Sequence, residues 1–369
     1  MDAGFIFPVK EAEWVSPVVI TPKKNGKWRV CVDYKPLNAA TQRNYYPLPF
    51  QDEILNQVAG HERYSIMDGF SGYFQIGIAE EDQLKTTFIT PWGCFAFRRM
   101  PFGLMNAYAT FQEWMNKVFE PYLGKFVRVF MDDIGCFSSR VEHLSRLQLC
   151  FKRLDEEGGQ LNPKKCKFAQ PRANLLGHVV SQNGIEADPE KVKALVMMEP
   201  PTTTQGLASF VHKLKYLSRF FWMLSQFVYP LHKLCHQAHG FQWNEEAQQA
   251  FERIKEILCQ LPVVSPPNRE DDFYVALAVG TVAIGAVLLQ KVSRNYKPIY
   301  FESRVMGPGE MAYTEAEQWV LALIFACRKF KIYLIGRKFF VITANNLLPE
   351  VVLHLKLGKR IMGYGVARI

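Results

Sequence analysis

The chain has 369 residues, of which 49% are hydrophobic and 21% are charged, and its formal net charge is +9. That length and apolar content suit a globular protein of two or three domains. No apolar run approaches the ~20 residues of a membrane span, and the first residues lack a signal-peptide pattern, so we expect an intracellular protein with no membrane partner. Positive charge together with 14% aromatic residues favours an anionic partner, for which nucleic acid is the leading candidate.

The first 188 residues predict a mixed α+β pattern. Two β runs between residues 17 and 34 flank a basic turn and predict a hairpin with a cationic tip. Apolar residues at helical spacing then alternate with short β runs. The predicted segments are a helix at 48–58, a strand-to-helix switch at 64–78, β structure at 86–97, and helices at 106–119 and near 140–157.

The rest of the sequence predicts a helical segment followed by a second α/β segment. Helices are expected at 189–195, 204–221 and 244–261. After residue 268, β runs at 273–279, 282–290 and 297–301 precede a long helix at 314–330 and a strand at 339–343. We therefore expect domain boundaries near residues 188 and 268.

An adjacent pair of carboxylates, Asp132 and Asp133, lies between two apolar runs. Burying two neighbouring charges without compensation costs several kcal/mol per ion. A tight β-hairpin whose tip presents the pair to solvent or to a divalent metal removes that conflict. The alternative for the pair by itself is an ordinary Asp-rich turn.

Several further segments accompany the pair in a fixed order. They are Trp28-Arg29 before Asp33-Tyr34, the run from Tyr64 to Ile76 around Asp68, and the run from Arg99 to Gln112. Their order and spacing resemble the reverse transcriptase of gypsy-type LTR retrotransposons over essentially the whole chain. The resemblance implies a right-hand polymerase with fingers and palm (1–188), a helical thumb and connection (189–267), and a truncated RNase H-like α/β domain (268–369).

The resemblance implies an RNA- and DNA-templated DNA polymerase that adds dNTPs to a primer 3′-hydroxyl. Two Mg²⁺ ions, for which Mn²⁺ can substitute, would assist the in-line phosphoryl transfer. Asp68 and Asp132 would be the metal ligands, and Asp133 would support the same metal site. The implied partners are RNA–DNA or DNA–DNA primer–templates and dNTPs.

The resemblance also implies substrate contacts. Lys23, Lys24 and Arg29 would hold the triphosphate, since Arg offers a bidentate fork and Lys a point charge. Tyr73 would exclude the ribonucleotide 2′-hydroxyl, although helical spacing alone also fits a core tyrosine. The remaining expected substrate-binding residues are Phe102, Gly103, Gln112 and Met131. Tyr108 departs from the family's commoner proline.

Two softer assignments follow from the same family. Lys165 would protonate the departing pyrophosphate, although a loop lysine is more often simply solvated. Leu176, Gly177 and His178 resemble the primer grip.

The last third resembles an RNase H domain that has lost its acids. The family's first aspartate falls on Ala278 and a later one on Ala344, so that only Glu317 remains. One carboxylate cannot hold two dications, and RNase H activity is therefore expected to be absent. Relative to the family, both ends of the sequence are expected to be trimmed.

Two other functions compete with the polymerase. A domesticated, non-catalytic nucleic-acid-binding or scaffolding protein would keep the basic charge, but it has no need for three acids at metal-ligand positions. An RNA-dependent RNA polymerase with a similar palm is disfavoured by Tyr73.

Overall fold

The computed structural model describes residues 4–22, 26, 28–70, 72–235, 241–268, 270–349 and 366–367. The chain divides into two compact units, Met1–Leu176 and Gly177–Ile369. None of the helices in these described segments is both long and apolar enough to cross a membrane.

The first unit is a mixture of short strands and amphipathic helices. Its elements in chain order are β1 (Ile6–Val9), β2 (Ser16–Pro22), β3 (Trp28–Val32), α1 (Lys35–Ala40), α2 (Gln51–Val58), β4 (Arg63–Asp68), α3 (Glu80–Gln83), β5 (Phe88–Thr90), β6 (Gly93–Phe97), α4 (Ala107–Phe119), β7 (Val127–Phe130), β8 (Asp133–Ser138), α5 (His143–Glu156), β9 (Lys167–Gln170) and β10 (Arg172–Leu175). Short 3₁₀ segments lie at Gly72–Gln75 and Leu84–Thr86.

Two sheets organise this unit. One has the strand order β1-β6-β5-β2-β3, and its β2–β3 pair is the predicted antiparallel hairpin. The other has the order β7-β8-β4-β9. Helix α4 buries Phe111, Met115 and Val118, which recur at helical spacing, against β7 and β8 residues such as Val129 and Ile134. This core fixes the sheet that carries the acids.

The second unit begins with an antiparallel pair and a helical segment. Its elements are β11 (His178–Ser181), β12 (Gly184–Ala187), α6 (Pro189–Val196), α7 (Thr204–Lys215), α8 (Leu224–Leu234), α9 (Glu245–Leu258), β13 (Phe273–Val279), β14 (Ala283–Val292), β15 (Asn295–Val305), α10 (Pro308–Met311), α11 (Glu315–Lys329), α12 (Lys331–Leu334), β16 (Phe339–Ile342) and β17 (Val366–Ala367).

A five-stranded sheet with the order β15-β14-β13-β16-β17 forms the body of the second unit. Strands β13 and β14 are antiparallel, whereas β13 and β16 are parallel. Helix α11 packs Trp319 and Leu323 against Val275 and Leu277 on one face of the sheet. The helix begins with a capping box in which Thr314 and Glu317 satisfy each other's backbone N–H groups.

The structure differs from the sequence expectations at several elements. The helix expected at 204–221 ends at Lys215 and is followed by a 3₁₀ turn at Ser218–Phe220. Helix α8 and the strands β9 to β12 were not individually expected. These strands have only four residues each, which is too short for a clear alternation of apolar and polar side chains.

Candidate active site

The acids meet at one end of the β7-β8-β4-β9 sheet. Antiparallel pairing places Asp68, the last residue of β4, opposite Asp133, the first residue of β8. Phe130 pairs with Asp133, so Met131 and Asp132 form the tip of a tight β7–β8 hairpin. The structure therefore forms the predicted hairpin and brings the three predicted acids together.

A buried glutamine supports the hairpin tip. Met131 has a left-handed backbone (φ 52°), which is costly for a residue with a side chain. Its N–H donates to Gln112 Oε1 at 2.7 Å, and Gln112 Nε2 donates to the Val129 carbonyl at 3.1 Å. Gln112 is 0% exposed. Its position therefore makes it a support of the hairpin, and the expected direct contact with substrate does not fit its burial.

Gly72 makes room for Asp132. A Cβ at this position would lie 3.3 Å from Asp132 Oδ1 and 3.0 Å from the Phe111 ring. A side chain at Gly72 would therefore press on the carboxylate. Sequence reasoning missed this residue, although a glycine four positions after Asp68 is a usable signal of close approach.

The acids repel one another. Burial raises the pKa of Asp132, and the neighbouring Asp68 raises it further. The pKa of Asp133 is raised by burial and by both Asp68 and Asp132. Each ionised carboxylate therefore disfavours the others, because the site concentrates negative charge where solvent screening is reduced.

Lys165 partly balances this charge. Its Nζ donates to both carboxylate oxygens of Asp68 at 3.1 Å. The lysine side chain is 63% exposed. Its segment docks on the end of β4, because the Asn162 N–H donates to the Asp68 carbonyl at 2.8 Å. Lys165 thus lies at the predicted site as the partner of an acid.

The donor set fits a hard divalent cation in its chemistry. Carboxylate oxygens are the ligands that Mg²⁺ prefers, and a cation would relieve the mutual repulsion of the acids. Within the segments that the structure describes, no group of three or more His, Cys, Asp or Glu side chains already has the spacing of a metal centre. Asp68 is instead paired with the Lys165 ammonium.

An aromatic cluster lies beside the acids. Tyr73 is 3% exposed, and its ring contacts Phe102, Tyr108 and Phe111 with centroid distances of 4.9, 5.6 and 5.4 Å. Gly103 has φ 98°, and its carbonyl accepts a hydrogen bond from Asn38 Nδ2 at 2.9 Å. The structure thus groups Tyr73 with Phe102, whereas Gly103 contacts the segment around Val32 and Asn38.

The triphosphate-binding prediction is only partly covered by the structure. Lys23 and Lys24 lie outside the described residues. Arg29 lies on β3, and its side chain is likewise outside the described part.

The predicted primer-grip residues are held in distinct ways. Leu176 and Gly177 both have left-handed backbones, with φ 49° and 72°. The Gly177 carbonyl accepts from Lys191 Nζ at 3.2 Å. The His178 ring stacks on Tyr216 with a centroid distance of 5.1 Å. His178 is therefore buried beneath an aromatic ring, and Leu176 and Gly177 form the turn before it.

A buried histidine links the strands below the acids. Ser65 on β4 and Ser138 on β8 have their Oγ atoms 2.8 Å from His143 Nε2 and 2.6 Å from His143 Nδ1. Burial lowers the pKa of His143, and Arg63 and Arg146 lower it further. The imidazole is therefore kept neutral. A lone histidine in the sequence gave no signal of this role.

The three RNase H-like positions have separate surroundings. Strand register aligns Ala278 with Gly285, and Gly285 with Ser303. Met223 Sδ lies where a Cβ of Gly285 would project, and the Ser225 N–H donates to Ser303 Oγ at 3.0 Å. This row of small residues is therefore covered by the start of α8.

Glu317 belongs to the other side of that sheet. It lies on α11, which packs on the face formed by Val275 and Leu277, and side chains alternate between faces along a strand. Its carboxylate accepts from the Thr314 N–H at 2.9 Å and from Thr314 Oγ1 at 2.8 Å. Ala344 follows β16 and is exposed. The remaining acid is thus engaged in starting a helix.

Comparison with known proteins agrees with this fold. Residues 21–180 match the family described as reverse transcriptase (RNA-dependent DNA polymerase), and residues 243–341 match the RNase H-like domain found in reverse transcriptase. The chain therefore contains a reverse transcriptase domain followed by an RNase H-like domain. It belongs to the reverse transcriptases of gypsy-type LTR retrotransposons, which confirms the resemblance seen in the sequence.

Two relatives come from Drosophila melanogaster. The chain is 35% identical over 349 residues to the retrovirus-related Pol polyprotein from transposon 297, covering 94% of this chain and 32% of that protein. It is 32% identical over 350 residues to the corresponding polyprotein from transposon opus, covering 90% of this chain and 35% of that protein. The chain thus spans about a third of the length of these relatives.

A solved structure supports the fold. The foamy viral protease-reverse transcriptase dRH in complex with ds DNA has a TM-score of 0.89 and 21% sequence identity. The match covers 100% of this chain and 67% of that chain. The expected combination of a right-hand polymerase with an RNase H-like domain is confirmed.

Proposed function

We propose that this chain extends a primer 3′-hydroxyl with dNTPs on RNA or DNA templates, by metal-assisted phosphoryl transfer at the three acids. The observation that carries the proposal is the pairing of Asp68 with Asp133, with Asp132 at the adjacent hairpin tip. A protein that only binds nucleic acid gains nothing from a cluster of like charges in which Asp68 raises the pKa of both Asp132 and Asp133.

Asp68 and Asp132 would hold two Mg²⁺ ions, or Mn²⁺ in their place, with Asp133 in support. When bound, these ions supply Lewis-acid stabilisation of the attacking and leaving oxygens. Gln112 keeps the hairpin tip in position through the Met131 N–H. Lys165 exchanges its contact with Asp68 for the departing pyrophosphate and donates a proton there.

The proposed partners are RNA–DNA and DNA–DNA primer–templates together with dNTPs. The net charge of +9 supports a polyanionic partner. The proposed domains are the fingers and palm (1–188), the thumb and connection (189–267) and an RNase H-like domain (268–369). An intracellular location belongs to the same proposal.

RNase H activity is proposed to be absent from this chain. Ala278 and Ala344 offer no ligand atoms, and the Glu317 carboxylate is held by Thr314. A labelled RNA–DNA hybrid incubated with Mg²⁺ or Mn²⁺ should stay intact. Reproducible, metal-dependent cleavage of the RNA strand would contradict this part of the proposal.

Primer extension tests the polymerase directly. The purified chain is incubated with dNTPs, Mg²⁺ and a labelled primer annealed to an RNA or a DNA template. Asp132→Asn, which keeps the side-chain size and removes the charge, should abolish extension while primer–template binding is retained. The matched control is Asp155→Asn, at an exposed acid of α5.

The possible results distinguish an active polymerase from a non-catalytic binding protein. Extension by the unmodified chain and the control, but not by Asp132→Asn, supports the proposal. Tight primer–template binding with no extension by any of the three would favour the non-catalytic binding protein. Extension by Asp132→Asn at the unmodified rate would remove Asp132 from the metal site.

A further inference from the structure

The side-chain amide of Gln75 binds the main chain of two separate segments. Its Nε2 donates to the Phe70 carbonyl at 2.7 Å and to the Gln160 carbonyl at 2.9 Å, and its Oε1 accepts from the Gln160 N–H at 2.8 Å. The Phe70 N–H also donates to the Gln160 carbonyl, at 2.9 Å. Both donor hydrogens of the amide are therefore used, and its partners fix the orientation of the amide.

The two segments continue from this contact to the acids. Gly69 and Leu161 form an antiparallel bridge, and the Asn162 N–H donates to the Asp68 carbonyl at 2.8 Å. The Lys165 N–H donates to the Asn162 carbonyl at 3.0 Å, so Lys165 lies one turn beyond the docked residue. Its Nζ then reaches both carboxylate oxygens of Asp68. The position of the ammonium thus depends on how this segment docks on the end of β4.

Gln75 belongs to the better-fixed side of this contact. It ends the 3₁₀ segment Gly72–Gln75, and its own carbonyl accepts from Arg99 Nη1 at 3.0 Å. On the other side, residues 157–166 join α5 to β9 through turns, and Leu161 and Cys166 are only partly buried against the core. A turn segment with few buried apolar contacts is held largely by its hydrogen bonds. The Gln75 amide supplies two of these bonds.

We propose that Gln75 is a positioning residue that holds Lys165 beside the acids. The inference rests on the proposed polymerase function and deepens it, because it names the residue that determines where the proton donor for the departing pyrophosphate lies. Without the Gln75 amide, residues 160–165 lose two hydrogen bonds, and the ammonium reaches the site for less of the time. Asp68 keeps its pairing with Asp133, so the proposed metal ligands stay in place.

The first test measures single-turnover dNTP incorporation by Gln75→Met. This substitution keeps the length of the side chain and removes its donors and its acceptor. The rate at saturating dNTP should fall about tenfold, since a misplaced proton donor loses part of its contribution, whereas the Kd for primer–template should not change. Gln148→Met, at an exposed glutamine of α5, is the matched control and should incorporate at the unmodified rate.

A double-variant comparison shows whether Gln75 acts through the lysine. Lys165→Met alone should slow incorporation, and adding Gln75→Met to it should slow the reaction no further. Additive losses in the double variant would overturn the inference, because Gln75 would then act on another part of the site. An unchanged rate in Gln75→Met overturns it as well, and so does an unchanged rate in Lys165→Met.

Hydrogen exchange tests the positioning without any polymerase activity. The amide of Gln160 loses its acceptor in Gln75→Met, so exchange in a peptide that covers residues 158–166 should become about tenfold faster. Exchange in α5 should stay as it is. If α5 also exchanges faster, the variant is destabilised as a whole, and Gln75→Glu, which keeps the shape and the acceptor but loses both donors, is measured in its place.

The two measurements separate this inference from the proposed function. If the unmodified chain incorporates no dNTP, the polymerase proposal fails, and exchange at residues 158–166 still shows whether Gln75 holds this segment. Unchanged exchange in both Gln75 variants overturns the positioning. Faster exchange confined to this segment, together with slower incorporation that depends on Lys165, supports it.

Discussion

The two units treat the same kind of position differently. In the first unit, strand ends carry Asp68 and Asp133, and their repulsion is moderated by the ammonium of Lys165. In the second unit, Ala278 lies in a row of small residues under α8. The acids of the first unit are thus kept at a cost to folding, whereas Ala278 is part of the packing. Charged groups that destabilise the fold and are nevertheless present indicate a functional role.

The largest expected effect concerns the acids of the first unit. Asp68→Asn should lower primer extension by about a hundredfold or more, since it removes a proposed ligand of the metal ions that stabilise transition-state charge. The melting temperature should not fall, because removing one charge relieves the raised pKa values of Asp132 and Asp133. Extension assays and thermal unfolding of the same preparation check both statements. A variant that loses stability together with activity would show that Asp68 serves folding.

The next largest effect is expected at Gln112, which supports the hairpin tip. Gln112→Leu fills a similar volume but leaves the Met131 N–H and the Val129 carbonyl without their partner. The free energy of unfolding should fall by about 2–3 kcal/mol, and extension should fall with it because the Asp132 backbone moves. Chemical denaturation measures the first effect. Gln249→Leu, at an exposed position of α9, is the control and should change little.

An acid introduced into the second unit tests whether the position of Ala278 is covered by α8. Ala278→Asp would place a carboxylate beneath Met223 and the start of α8, and should cost about 1–2 kcal/mol of unfolding free energy. Ala344→Asp, at an exposed residue, should stay within about 0.5 kcal/mol of the unmodified chain. Neither variant should cleave a hybrid. Equal stability of the two variants would show that α8 does not cover the Ala278 face.

The smallest expected effect is a difference in acid sensitivity. Folding lowers the pKa of His143 from its usual 6.5. As the pH drops below about 6.5, the unfolded chain therefore binds a proton at His143 more readily than the folded chain, and the free energy of unfolding falls. Arg304 bonds Glu310 and lowers its pKa from 4.5 to about 2, so that contribution persists until pH falls below about 4.5.

Hydrogen exchange at several pH values measures this difference. Between pH 7 and pH 5, protection should decline around β4 and β8 and remain around Arg304 and Glu310. His143→Asn removes the titrating group and should flatten the decline. A decline that starts in the second unit at pH 6 would contradict the assignment.

The sequence predicted the parts of the site that depend on local pattern. The hairpin at Asp132 and the strand end at Asp68 follow from alternating apolar runs, and the family resemblance supplied their pairing. The function of Gln112 could not be predicted in this way. Nothing in its neighbourhood along the chain indicates that its amide bonds Met131 and Val129, since that contact depends on how α4 lies on the sheet.

The second unit shows the same limit. The sequence located Ala278 and Glu317 on the correct strand and helix. It could not show that α8 packs on the Ala278 face, because Met223 and Gln226 reach Gly285 and Gly280 only in the folded chain. In the sequence, helix packing of this kind is indicated only by small residues on the strands, and small residues occur for many other reasons.

The capping box of α11 has a consequence for how this lineage changes over time. Selection on helix initiation alone would keep a capping side chain, Glu or Gln, at the position of Glu317, whether or not any nuclease remains. Substitution by glutamine, which can cap equally well, should then accumulate freely among copies of the element, whereas alanine should be purged. The Glu317 carboxylate would then be kept for the bonds that it makes to Thr314, independently of any catalytic role.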